Sequence, residues 1–347
     1  MNIQTARKDG SRTDYRDISN DFVKTRLQTI ERRLVRIEQR TNLTAAVANA
    51  GLYQFWRRKV RPRLWTPEQY ASRRLRIRPD YQLQKVPNDP PQIAIVTPAL
   101  NQEKFIRTTI NSVLQQDYPK LAYVVRDGGS TDETRQILRS YGEKVQWQSE
   151  LDTGQANAIN RGFREVDGEI MGYLNSDDTL MPGALAYVAQ AFRDNPEVDL
   201  FYSHRIFIDT HGLEIGRSIL PPHDAETLKW ADYIPQETLF WRRRVWDAVG
   251  PFDESFNFAL DWDFVLRAQR AGFQFKRLPR FLACFRCHAQ QKTIDMMEDV
   301  GVEEMRRIRA QYLGDPPGQY EIRRAISGYL LRQLFFDWMY RLKLVKY

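Results

Sequence analysis

The chain has 347 residues, of which 42% are hydrophobic and 12% aromatic, a composition that supports a sizeable packed core and excludes global disorder. Two cysteines exclude a disulfide framework, the polar start MNIQTARKDGSRTD lacks the apolar stretch of a secretory signal, and no apolar run is long enough to span a bilayer, so the expected location is the cytoplasm. The net charge of +8 is lopsided, with about +11 carried by residues 1–90 and a slightly acidic remainder.

Residues 1–91 read as a basic helical extension followed by a linker. From Val23, apolar or small side chains recur at Leu27, Ile30, Leu34, Ile37, Thr41, Thr44 and Ala48 in steps of four and three. This is the heptad stripe of a coiled-coil helix, which either pairs chains into a homo-oligomer or docks on its own core. Residues 55–65, FWRRKVRPRLW, mix aromatics with Arg and Lys as segments at a lipid headgroup layer do, and fit a linker equally well. Pro87, Pro90 and Pro91 make 81–91 an extended boundary, because proline disfavours helix at itself and just before.

Beyond that boundary, short apolar runs alternate with helical patterns. Strands are expected at 93–96, 121–125, 145–147, 169–174 and 198–201, and helices at 103–115, 132–141, 155–165 and 182–193. Such alternation predicts a mainly parallel sheet with helices on both faces, whose ligand crevice lies at the carboxyl ends of the strands.

The polar motifs fall at those ends. Thr97-Pro98-Ala99-Leu100-Asn101 follows the first strand, and Asp127-Gly128-Gly129-Ser130 follows the second, where a carboxylate can accept from a base N–H while the glycines admit a ligand. Asp152, Gln155 and Asn160 stand around the start of a helix, a position whose dipole favours phosphate. Asn175-Ser176-Asp177-Asp178 follows the fourth strand and supplies oxygen ligands for a hard divalent cation. Downstream come Gly250-Pro251-Phe252-Asp253-Glu254 and Leu260-Asp261-Trp262-Asp263, whose two acids at i and i+2 on a helix point different ways. Each motif alone also fits an ordinary cap or turn. Cys284-Phe285-Arg286-Cys287-His288 has the spelling of a c-type haem attachment, which needs an export route that the polar start does not offer.

Taken in order, the motifs of residues 92–293 resemble family 2 glycosyltransferases of the GT-A fold. The resemblance implies an α/β architecture: a GT-A type, mainly parallel sheet flanked by helices, with a helical N-terminal extension and C-terminal helices. It divides the chain into 1–91, a nucleotide-sugar-binding half at 92–215, an acceptor-binding half at 216–293, and a helical segment at 294–347. Thr97, Pro98, Asn101, Asp127, Asp152, Gln155, Asn160, Asn175 and Ser176 are then expected to contact the nucleotide. Asn175-Ser176-Asp177 falls at the DxD metal motif with Asn in place of the first acid, which leaves Asp177, with His288, to hold a divalent Mg²⁺ or Mn²⁺ ion. Asp261 matches the general base, and Gln236, Glu237 and Trp262 fall in the acceptor pocket.

The implied activity is inverting transfer of a sugar from a UDP- or dTDP-type nucleotide sugar to a hydroxyl of a glycan or lipid-linked acceptor, in cell-surface polysaccharide biosynthesis. The alternatives are a non-catalytic nucleotide-sugar-binding or coiled-coil scaffold protein, and a nucleic-acid-binding protein, for which no reading module is present. Near the C-terminus, Ile326, Leu330, Leu334, Trp338, Leu342 and Val345 recur at about helical spacing beside Arg332, Arg341, Lys343 and Lys346. Together with the basic arm they predict a helix on the anionic cytoplasmic membrane face.

Overall fold

The computed structural model describes residues 67–289, 291 and 297–347, all within the second of the chain's two units, Pro62–Tyr347. The expected heptad helix at 23–48 and the aromatic, basic stretch at 55–65 lie outside the described residues.

The elements run β1 (Ile93–Ala99), α1 (Ile106–Leu114), β2 (Leu121–Asp127), α2 (Thr134–Arg139), β3 (Gln146–Ser149), α3 (Gln155–Glu165), β4 (Ile170–Tyr173), β5 (Thr179–Leu180) and α4 (Ala184–Asp194). They continue with β6 (Leu200–Ile208), β7 (Glu214–Ser218), α5 (Ala225–Trp230), β8 (Phe240–Arg242), α6 (Arg243–Val249), α7 (Leu260–Arg270), β9 (Phe275–Arg286), α8 (Val302–Leu313) and α9 (Gln319–Arg341). Every strand and helix expected between 93 and 201 is present.

One sheet carries them all, in the order β3-β2-β1-β4-β8-β6-β9-β5, with β7 on β6. Its β3-β2-β1-β4 half is parallel, as the alternation predicts, and β6 and β9 are parallel too. Short β8 runs antiparallel between β4 and β6, and hairpin β6-β7 and the β5-β9 pair add further antiparallel contacts, so the sheet as a whole is mixed.

Both sheet faces are buried, which explains why the central strands read as continuous apolar runs. Along β1, Ala94 and Val96 join one core with Trp241, Phe252 and Phe264, while Ile93 and Ile95 join the other with Ile110, Leu185 and Phe201. Helix α3 buries Ala156, Ile159, Asn160 and Phe163, an i, i+3, i+4, i+7 stripe. It sits close on the sheet at Gly162, where an added Cβ would lie 2.5 Å from Val96 Cγ1.

Residues 67–91 contain one 3-10 turn, Pro79–Tyr81, and a bridge from Arg73 to Glu214, so this described part of the N-terminal extension is otherwise non-helical. It crosses strands β7 and β9. Fully buried Glu214 pairs with Arg73 and Arg217, and Arg280 lies 3.9 Å over the Tyr81 ring.

The C-terminal stripe is resolved differently from its sequence pattern. A side chain every fourth residue advances about 40° around a helix per step, so such a series cannot stay on one face. Ile326 is buried, whereas Trp338 and Leu342 are exposed. The solvent-facing row is instead Leu331, Phe335, Trp338 and Leu342, spaced i, i+4, i+7, i+11.

Candidate active site

A cavity of about 790 Å³ opens where the ends of β1 and β4 face the turns before α3 and α7. Pro98, Asp152 and Gln155, then Asn175, Ser176 and Asp177 just beyond β4, and Gln236, Glu237, Asp261 and Trp262 from later in the chain all line it. Chain segments far apart in sequence thus meet in one space, because each follows a strand or opens a helix at the same rim of the sheet.

A row of amides crosses this space. Gln155 Nε2 donates to Asn175 Oδ1 at 2.7 Å, Asn175 Nδ2 donates to Gln236 Oε1 at 3.0 Å, and Gln236 Nε2 donates to the Tyr173 carbonyl at 2.8 Å. Asn175 therefore serves as both donor and acceptor between two amides. An aspartate there has no N–H to give Gln236.

Asp177 is the adjacent cavity carboxylate. His288 Nε2 lies 2.9 Å from Asp177 Oδ2, although 111 residues separate them, and the imidazole packs at 4.7 Å on Phe105. The antiparallel β5-β9 pairing brings the chain after β9 beside the Asn-Ser-Asp turn. Among the described residues no cluster of three or more His, Cys, Asp or Glu side chains is arranged for a metal. Of Asp177 and His288, Asp177 lines the cavity, where its carboxylate fits a cation that takes its remaining ligands from substrate phosphate and water, with the His288 imidazole beside it to orient that carboxylate. Asp178 is a different group: it is buried, accepts from Arg286 N at 2.9 Å, and burial, then the neighbouring Asp177 charge, push its pKa well above the usual carboxylate range.

Asp261 opens α7 and reaches the cavity with Oδ1 accepting from Trp262 N at 2.9 Å. Surrounding protein pushes its pKa up to about 6. The turn before it is fixed from α8, where buried Glu304 accepts from the backbone N–H groups of Asn257, Phe258 and Ala259 at 2.7, 2.8 and 2.9 Å. Asp232 also lines the cavity. The residue is exposed, yet desolvation by the protein around its carboxyl and then the Asp261 charge push its pKa well above the usual carboxylate range. Glu237 is held up in pKa by burial, against the opposing Arg205, which grips it with Nε to Oε1 and Nη2 to Oε2 contacts of 2.8 Å each.

Four predicted nucleotide contacts have other tasks. Thr97 is fully buried, and its hydroxyl meets Tyr123 Oη at 3.1 Å inside the core. Asp127 is buried under the Gly-rich turn: it accepts from Ser130 N at 3.0 Å, from the Ser130 hydroxyl, and from Ser149 Oγ at 2.5 Å. Asn101 ties the first turn to the second, its N–H donating to Ser130 Oγ at 2.8 Å and its Oδ1 accepting from Thr131 N at 2.9 Å. Asn160 clasps the Gly-Pro-Phe-Asp-Glu loop, exchanging two bonds with the Phe252 backbone and donating to Glu254 Oε1 at 3.0 Å. None of the four lines the cavity, because each side chain already has its partners in the loops that shape the site. Asp127 still acts close by: on the same turn, a Cβ on Gly128 would lie 2.5 Å from Asp152 Oδ2, so glycine there lets the cavity residue Asp152 close over the strand end. Trp262 touches the cavity but is almost wholly buried, its indole N–H donating to the Leu228 carbonyl at 2.8 Å.

Asp232, Arg205, Glu304 and Arg309 carry weight that the sequence reading missed. Arg205 left a signal, a cation inside the apolar run Phe201-Tyr202-Ser203-His204-Arg205-Ile206-Phe207. Glu304 left none, since Val-Glu-Glu-Met-Arg-Arg reads as any charged helix.

The family described as Glycosyl transferase family 2 matches residues 94–252. The O-antigen biosynthesis protein RfbC of Myxococcus xanthus is 34% identical over 189 residues, covering 52% of this chain and 15% of that protein. A PGL/p-HBAD biosynthesis glycosyltransferase of Mycobacterium bovis is 29% identical over 182 residues, covering 51% of this chain and 69% of its own length. The mannosyltransferase PcManGT of Pyrobaculum calidifontis, solved with GDP-Man and Mn²⁺, superposes with a TM-score of 0.52 at 20% identity over 85% of this chain and 79% of its own, a likeness of fold.

Proposed function

Because the chain belongs to the family 2 glycosyltransferases and has their GT-A fold, we propose that it transfers a sugar from a UDP- or dTDP-type nucleotide sugar to a hydroxyl of a glycan or lipid-linked acceptor, with inversion, in cell-surface polysaccharide synthesis. The observation that carries the reading is the convergence of two carboxylates far apart in the chain, Asp177 and Asp261, on one cavity of about 790 Å³.

In this reading the nucleotide lies along Pro98, Asp152, Gln155 and Ser176. The amide row from Gln155 through Asn175 to Gln236, held by its own hydrogen bonds, orients the sugar end of the donor. Asp177 and His288 would hold a divalent cation, Mg²⁺ or Mn²⁺, which would offset negative charge on the departing diphosphate. Asp261 takes the proton from the acceptor hydroxyl as that oxygen attacks the anomeric carbon from the face opposite the diphosphate. Its pKa of about 6 leaves it mainly ionised at neutral pH, yet a better proton acceptor than an ordinary aspartate. The site residues, the cation and the acceptor are all parts of this proposal. A panel of sugar nucleotides assayed for cation-dependent turnover tests it, and no turnover of any of them would overturn it.

A membrane-facing position is supported by the exposed row Leu331, Phe335 and Trp338 on α9 with Leu342 at its C-terminal cap, beside Lys343 and Lys346. No described helix is long and apolar enough to cross a bilayer. A non-catalytic binder is the second reading, favoured by one observation: Asn175, at the first acid position of the metal motif, is engaged by two amides. Cation-dependent donor hydrolysis separates the two.

A further inference from the structure

Five acids, Asp152, Asp177, Asp232, Glu237 and Asp261, line the cavity against two cations, Arg205 and Arg309. Arg205 is spent on Glu237. Arg309 is not so paired. It projects from α8 with its guanidinium 5.2 Å over the Trp262 ring, and its Nε donates to the Trp230 carbonyl at 2.8 Å. Those two contacts fix the plane of the fork. Its terminal nitrogens have no carboxylate partner among the described residues, and burial alone lowers its pKa, with no anion opposing it.

A half-buried guanidinium without an anion is costly unless a ligand answers it. Its planar, pre-oriented pair of donors matches the two oxygens of a phosphate or carboxylate better than an ammonium could. Position decides which ligand. Its guanidinium stacks on Trp262, the residue after Asp261, which the proposed mechanism takes as the base that meets the acceptor, and Met305, Ile322 and Ile326 line the same cavity.

We propose that Arg309 receives an oxyanion, phosphate or carboxylate, carried by the acceptor, so that the enzyme selects acidic acceptors. The word acceptor rests on the glycosyltransferase reading; the oxyanion site itself does not. Arg205 is engaged by Glu237, so among the described residues Arg309 is the lining cation without a carboxylate partner, and it is the group that would tell an acidic acceptor from a neutral one.

The test is calorimetric titration of the full chain with glucose, glucuronate and glucose 1-phosphate, and separately with UDP, for wild type, Arg309→Gln and Arg309→Lys. The expected result is binding of the two charged sugars at least about tenfold tighter than glucose in wild type, lost in Arg309→Gln and partly kept in Arg309→Lys, with UDP affinity equal in all three. Equal binding of charged and neutral sugars by wild type, or unchanged binding by Arg309→Gln with its melting temperature intact, overturns the proposal. UDP affinity falling in step with Arg309→Gln overturns it as well, by assigning the guanidinium to the donor diphosphate. Wild type that binds the charged sugars but no nucleotide sinks the transferase reading while the oxyanion site stands.

Discussion

Glu304 and Ala259 are joined by a 2.9 Å hydrogen bond in which the carboxylate accepts the N–H that opens the turn into α7, and the same carboxylate takes the N–H groups of Asn257 and Phe258. The catalytic helix of the proposed mechanism is thus capped by a residue from the C-terminal helices, not by a side chain of its own. Glu304→Ala leaves three buried or half-buried N–H groups without an acceptor and is expected to cost about 3 kcal/mol or more of stability. Glu304→Gln keeps an acceptor oxygen and is expected to cost less. With Asp261 delivered by that turn, kcat should fall in both variants by more than KM rises. Chemical denaturation together with steady-state kinetics checks this, and an Ala variant as stable and active as wild type would remove the positioning role.

Asp261→Asn separates activity from stability. Loss of the general base is expected to lower kcat by about two to four orders of magnitude. Its folded pKa of about 6 lies above the unfolded value, so the folded state binds the extra proton between those two pH values, and stability falls as pH rises through that window. Ionised Asp261 is therefore a burden at neutral pH, and Asn mimics the protonated acid. The variant should melt above wild type at pH 7.5, with the difference vanishing near pH 4. In wild type the rate should climb with pH to a plateau above about 6, and a flat profile would move the base elsewhere.

The contact between His288 and Asp177 gives the prediction for the cation. Removal of divalent ions by chelation should abolish transfer, and Mg²⁺ or Mn²⁺ should restore it. If the imidazole helps hold or orient the ligand set, His288→Ala should raise the half-saturating cation concentration about 10- to 100-fold. Asp177→Ala should abolish the cation response altogether. A titration curve unchanged by either substitution would place the ion on other groups.

Asn160→Ala tests how a sequence pattern differs from a site. Polar residues at strand ends and helix starts were legible as a set, and the set falls around one cavity because strand order and helix polarity follow from the apolar periodicity of β1 to α3. What one sequence does not carry is the direction of each side chain. Asn160 lies one turn past Gln155 on α3, but the stripe that buries Ala156, Ile159 and Phe163 buries it too, so it turns to the Phe252 backbone rather than to the cavity. Thr97 likewise follows the alternation of β1 inward. Asp232, Arg309 and Glu304 act across contacts between distant segments and were invisible for that reason. Asn160→Ala is expected to cost about 2 kcal/mol, from its bonds to the Phe252 backbone, and to leave the KM for the nucleotide sugar within about twofold. A large rise in KM at full stability would restore it to the nucleotide site.

The exposed row on α9 makes a prediction that salt can probe. Leu331 and Phe335 are 64% and 54% exposed, and Trp338 and Leu342 are 55% and 52% exposed, enough apolar surface on one face to seat a helix shallowly in the headgroup layer. Each Lys or Arg near an anionic leaflet adds roughly 1 kcal/mol, screened as ionic strength rises. The full chain should pellet with phosphatidylglycerol vesicles at low salt and be released progressively by added salt. Phe335→Asp combined with Trp338→Asp should weaken pelleting by about tenfold or more at every salt concentration, because it removes apolar contact and adds like charge to the leaflet. Those side chains stand in solvent, so the melting temperature and turnover of a soluble donor should be unchanged. If the double variant pellets as wild type does, the row is not the membrane contact, and the basic N-terminal arm would have to supply whatever binding is seen.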